Sequence, residues 1–222
     1  MVVPVSVNLQ LRRLNSHLSD LKRVENAENS EEQSIVVAEI CNTCMLLLDK
    51  SMNKLWEAKV GKSSGKPNIY FPVCSSREKL IARFKQYQMP QIPLSDTEIF
   101  HLIDSVQEYN GSSWLSSLHK ISSMRHERYP DVGRVNRLGV GIGFDQDLYI
   151  ESLTYDGNGN LSFKGHGINR SNGLIEPAKI EVINEVGTIL KEVDQDPFQF
   201  CSESIGKVKK IISSLYMMIG KL

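Results

Sequence analysis

Tyr129-Pro-Asp-Val-Gly-Arg-Val-Asn-Arg-Leu-Gly-Val-Gly-Ile-Gly-Phe144 is where the chain changes texture. Before Tyr129, apolar residues recur at three- and four-residue steps, the period of helices packed on one face. After Gly133 they come in short β-branched runs broken by glycine and turn residues. Tyr129 precedes a proline, whose ring pushes the preceding residue out of helical space, so the last of the early helices closes here. The stretches 138–144, 148–153, 161–163, 179–186 and 188–193 follow at turn spacing. They predict an antiparallel sheet of about four to six strands.

Working back from this boundary, Val7, Leu11, Leu14, Leu18, Leu21 and Val24 predict an amphipathic helix over 7–25. The polar, acidic stretch from Glu25 separates it from a second helix over 34–60, apolar around much of its circumference near 45–48 and therefore expected at the centre. Gly61 to Pro67 breaks that helix. The extended piece 68–74 follows, kept out of a central strand by Pro72. Ser75 or Ser76 is positioned to cap a helix over 77–88. Ser95 and Glu98 have capping-box spacing, predicting a helix to about Glu108, and a fifth helix is expected over 113–128. Downstream, Pro197 leads into a helix near 201–219 with Ile205, Val208, Ile211, Ile212, Leu215 and Ile219 on one stripe. The fold class is α+β: a helical bundle over 1–132, then an antiparallel β-rich part closed by a C-terminal helix over 133–222. The halves are expected to pack as one unit, because the last helix has an apolar stripe and no linker precedes it.

At 222 residues the chain can bury a core without covalent staples. Lys+Arg and Asp+Glu are both 26, which disfavours a generic polyanion binder. A hydrophobic fraction of 41% excludes wholesale disorder. Cys41, Cys44, Cys74 and Cys201 are too few for a disulfide scaffold and read as reduced thiols. No apolar run has the length of a membrane span. The first residues lack the charged-then-apolar layout of a signal peptide. A cytoplasmic protein is expected.

Several motifs have simpler readings. Gly139-Val-Gly-Ile-Gly143 is followed by Phe-Asp-Gln-Asp-Leu-Tyr-Ile, a continuing strand rather than the helix a phosphate loop requires. Cys41 and Cys44 have knuckle spacing but sit mid-helix with no second pair, so core thiols are expected. Asp156-Gly-Asn-Gly-Asn160 begins like a calcium loop, yet Leu161 and Gly167 occupy the positions needing glycine and glutamate, so it is read as a hairpin turn. No cofactor and no metal site is expected.

The segment from Trp114 to Arg128 carries the chemistry. On a helix, Trp114, Leu118 and Ile121 form an apolar face, and Leu115, His119, Ser122 and His126 the adjoining stripe. Seven residues at about 1.5 Å rise place His119 and His126 ~10 Å apart, too far to share a metal on one straight helix. A histidine can instead move a proton near neutral pH, and a neighbouring arginine can hold a phosphate. Arg125, His126, Arg128, Arg134 and Arg137 gather cationic groups in a chain of zero formal charge. The simpler alternative is that Arg125 and His126 anchor the helix to neighbouring carboxylates or carbonyls.

Ile69-Tyr-Phe-Pro72, the run Ile103 to Gln107 with Tyr109, and Leu115, Leu118, Ile121-Ser122 and Arg125-His126-Glu-Arg128 resemble a widespread set of uncharacterised bacterial helical proteins. Those share an F-P element, an I-x-x-x-Q-P-Y element and a helix of the form L-x-x-L-x-x-[IL]-[SN]-x-x-[KR]-H-R. The likeness covers about residues 68–130, and Phe200-Cys201 with the following helix also fits. Glu108 stands where proline is usual, and Glu127 separates His126 from Arg128. That set is in turn similar to the HEPN superfamily, helical bundles of toxin–antitoxin and phage-defence systems. Its active members are metal-independent ribonucleases that pair across a dimer and carry an arginine, four to six residues, then a histidine. Before His126 the basic residues at that distance are Lys120 and His119, while Arg125 is adjacent.

Two functions follow. One is a non-catalytic interaction or regulatory subunit of a bacterial phage-defence or toxin–antitoxin system, with a protein partner or a second copy of itself. The other, implied by the resemblance, is a HEPN-like ribonuclease. There His126 would act as acid and base, Arg125 would contact phosphate and His119 would assist, with Lys120, Arg128, Arg134 and Arg137 along the RNA. Zero net charge and the incomplete motif favour the first. No membrane partner is expected.

Overall fold

A computed structural model describes residues 3–27, 29–61, 65–124, 127–142, 145–155 and 161–220, without the side chains at 26, 136–142, 153, 155, 161 and 180–186. The fold is α+β. The helices are α1 (Val5–Asn26), α2 (Ser30–Lys59), α3 (Arg77–Gln86), α4 (Thr97–Asp104), α5 (Trp114–Met124) and α6 (Pro197–Ile219). The strands, which lie between α5 and α6, are β1 (Val132–Ile142), β2 (Gln146–Tyr155), β3 (Leu161–Asn169), β4 (Ile175–Glu176) and β5 (Ile180–Leu190).

The chain divides into two compact units, Met1–Gly133 with Thr188–Leu222, and Arg134–Gly187. The helical unit takes up the chain again at Thr188, and α6 packs with α1 and α2. Its apolar stripe explains this: Val208, Ile212 and Leu215 are fully buried in the helical core.

That core is centred on α2. Val37, Ile40, Cys41, Cys44, Leu47, Leu48, Met52 and Leu55 are all fully buried, so α2 meets neighbours on several sides, as its broad apolar circumference predicts. Leu14, Leu21 and Val24 of α1, and Leu118 and Ile121 of α5, close around it. Each such aliphatic side chain contributes about 1.5–3 kcal/mol on burial. The helix starts are held by Asn29, Ser76 and Asp196, whose side chains accept from the N–H groups of Glu32, Lys79 and Gln199. Pro197 sits in the first turn of α6, where its missing N–H is not needed.

The extended piece after α2 forms no strand pair among the described residues. Side chains take the place of a ladder. Asn53 Nδ2 donates to Ile69 O at 2.9 Å, and Asp49 Oδ1 accepts from Phe71 N at 2.7 Å. Gln107 Oε1 accepts from Cys74 N at 2.8 Å, while its Nε2 donates to the carbonyls of Pro72 and Ile103 at 3.0 Å each. Pro72, which lacks an N–H, still supplies a carbonyl to this arrangement.

Two expected helices are corrected. The capping box at Ser95 does not form: Ser95 Oγ donates to Gln91 O, the N-cap is Asp96, and α4 ends at Asp104. Asn110 Nδ2 then claims Asp104 O, and Glu108–Asn110 is a 3-10 turn ending on left-handed Gly111. In α5 helix is described over Trp114–Met124, residues 125–126 lie outside the described residues, and Glu127 and Arg128 are no longer helical, the N–H groups of both donating to Met124 O.

In the other unit, β2, β3 and β4 form an antiparallel sheet, and β1 and β5 pair as a two-stranded ribbon. Leu148 stands opposite Gly167, Tyr149 opposite His166 and Ile150 opposite Gly165, with a bulge before Ser152. On the Leu148 face the side chain of Gln146 covers the sheet, bonding Glu176, Pro177 O and Lys179 N. Gly167 lies beneath it, where a Cβ would sit 2.3 Å from Gln146 Oε1 and push that amide aside. The expected hairpin turn at 156–160 lies outside the described residues, as do Gly143 and Phe144.

Candidate functional site

Steps of three and four residues put Asn42, Met45, Leu46 and Asp49 on one face of α2. The same rule aligns His119, Ser122 and Ser123 on α5. With Thr43, Tyr70 and Phe71 these residues line a cleft of about 580 Å³. Asp49 belongs to the floor, held by its bond to Phe71 N. Burial pushes its carboxyl above the ordinary carboxylate range, while that bond and the charge of His119 pull it part of the way back. His119 is exposed, and Tyr70, which also lines the cleft, is 59% exposed. A carboxyl group, an imidazole and the hydroxyls of Thr43, Tyr70, Ser122 and Ser123 in one cleft can bind polar ligands and shuttle protons.

Of the described residues proposed from sequence for catalysis or RNA contact, the cleft receives His119, with Ser122 of the same helical stripe beside it. Arg125 and His126 lie outside the described residues. Lys120 is exposed on α5, and Ser123 Oγ donates to its backbone carbonyl. Arg128 faces Glu192 at 3.5 Å, and the same carboxylate accepts from Asp131 N at 3.1 Å, so these contacts tie the end of the α5 connection to the turn after β5. Arg134 is exposed on β1 in the other unit, and the side chain of Arg137 lies outside the described residues. Among the described residues, no group of three or more His, Cys, Asp or Glu is gathered as a metal would need. The four cysteines are buried, unpaired thiols, as expected.

Asp49 and Tyr70 are among the cleft residues that the sequence reading did not assign to a site. Asp49 had a signal: it is the one acidic residue in the long run from Ile40 to Trp56, otherwise apolar, polar or basic. Tyr70 had none, because only the side-chain clamping of its segment turns it outward.

The strand unit presents a second feature. Among its described residues no apolar side chain is buried, while Tyr149, Ile150, Ile168, Leu174 and Ile175 are exposed. The register puts Ile168 between Asp147 and Ile175 on one face, with Tyr149 stacked on His166 at 4.9 Å between ring centres in the adjoining pair. No helix of the described chain is long and apolar enough to cross a membrane. The chain matches no protein-family model, no curated protein and no solved structure.

Proposed function

We propose that the protein is a non-catalytic interaction subunit, of the kind that serves bacterial phage-defence or toxin–antitoxin systems. Its docking surface is the sheet face carrying Tyr149, Ile168 and Ile175. The observation that carries this reading is the exposure of those three side chains in a unit that buries no described apolar side chain. A small sheet needs an apolar face covered to be stable, and a protein partner supplies that cover. Aromatic and aliphatic side chains of this type are the anchors of protein interfaces.

The test is affinity purification from the native host of wild type, a Tyr149→Glu/Ile168→Glu variant and an α1 surface control, Leu9→Glu. Wild type and control should retain one stoichiometric partner, or a second copy seen as a doubled mass in sedimentation, and the sheet variant should lose it. Retention by the sheet variant, or a monomeric wild type with no partner, would sink the proposal.

A second reading is metal-independent RNA cleavage, favoured by His119 facing the same cleft as Asp49. Incubation with RNA in excess EDTA should then show cleavage by wild type that His119→Ala weakens and His126→Ala abolishes. Intact RNA with wild type removes this reading for the isolated chain.

A further inference from the structure

Lys79 and Arg83 stand one turn apart on α3, a spacing at which like charges repel. Among the described residues neither reaches a carboxylate oxygen. Arg77, the other arginine on this helix, differs in facing a carboxylate, that of Asp104 at 3.9 Å. Lys79 Nζ is held by Ser75 Oγ at 2.8 Å, while Arg83 lies over the ring of Tyr87 at 6.0 Å and lines the same groove as Cys74. Both cations therefore lean over one groove of about 410 Å³, with Ser75, Ala82, Gln86 and Glu108 in its walls.

We propose that this groove binds a phosphorylated small molecule, with Lys79 and Arg83 holding the phosphate. Two cations and a hydroxyl suit the charge and the acceptor oxygens of a phosphate monoester, and an arginine fork matches phosphate geometry. A bound dianion also removes the repulsion between the two side chains. The groove falls within the usual size range of small-molecule pockets and is larger than a bare phosphate requires. Gln86 and Glu108 can bond hydroxyl or amine groups on the organic part, and Ala82 gives it an apolar contact.

The test is titration calorimetry of the full chain with glucose 6-phosphate, AMP, inorganic phosphate and unphosphorylated glucose, for wild type and for Lys79→Gln/Arg83→Gln. Wild type should bind one or both esters saturably, more tightly than inorganic phosphate, and should ignore glucose. The double variant should lose about tenfold or more in affinity while unfolding at the same or a higher temperature, since it relieves a like-charge pair. Failure of wild type to bind either ester at up to about 10 mM, the weak end of useful affinity, would overturn the proposal. Equal binding by the double variant would do the same. Inorganic phosphate binding as tightly as the esters would overturn the assignment to an ester.

Discussion

Gln107 and Cys74 are joined across thirty-three residues of chain: the fully buried Gln107 side chain accepts the Cys74 N–H through Oε1 at 2.8 Å. Its Nε2 donates to the carbonyls of Pro72 and Ile103, so one amide replaces the ladder that this extended segment does not make. A buried backbone group left unpaired costs about 1–3 kcal/mol. Gln107→Leu strands three such groups while keeping an apolar side chain of similar reach. Urea unfolding should show a loss of about 3 kcal/mol or more. A loss below about 1 kcal/mol would mean that the segment finds other partners.

Asp49 supplies a pH-dependent term. Its carboxyl is raised in the folded state, chiefly by burial, so the folded protein holds this proton over a wider range than the unfolded chain. Stability from this group is greatest below the ordinary carboxylate pKa and falls as pH rises towards the raised folded value. Asp49→Asn keeps an oxygen for Phe71 N and removes the titration. The variant should gain on wild type as pH rises through the window above about 4 and hold a constant advantage beyond it. Parallel stability–pH curves for the two proteins would contradict the assignment.

The cysteines should separate by reactivity. The contact with Cys201, then burial and the neighbouring thiols, hold the thiol of Cys41 well above its usual range, and burial does most to raise Cys44. Cys74 is also raised by burial, but Arg83 and Lys79 oppose the shift and it borders an open groove. Thiolate is the reactive species, so a neutral thiol reagent should label Cys74 first in the native protein. Cys41, Cys44 and Cys201 should react only as the fold opens, with rates that rise in denaturant. Early labelling of Cys41 would argue against the packing of α2 on α6.

The helices were legible in the sequence because each announces its buried face by period. Val208, Ile212 and Leu215 fixed the last helix, and the crowding of apolar residues near Leu47 placed α2 at the centre. Helix ends were less legible, since Ser95 had capping chemistry but its hydroxyl went to Gln91 O instead. The cleft was half legible. His119 stood out as a histidine on a stripe, whereas Asp49 and Tyr70 meet it only through a contact between α2 and a segment whose path depends on side-chain bonds from distant residues. Arg128 shows the converse: a conspicuous cation whose described contact is with the largely buried Glu192.

Gln33 offers a stabilising change. It lies in the first turn of α2 with 1% of its surface exposed, and neither its amide nitrogen nor its oxygen has a hydrogen-bond partner among the described residues. Its backbone is already served, donating to Asn29 O at 3.1 Å, so the orphaned atoms are those of the side chain alone. Methionine has nearly the same helix propensity, shape and flexibility but no polar atoms that need pairing. Gln33→Met should therefore raise the unfolding free energy by about 1 kcal/mol or more, visible as a urea midpoint shifted upward at unchanged slope. A lower midpoint would show that the amide is bonded in solution, and it would make this first turn of α2 a polar anchor rather than a defect in the core.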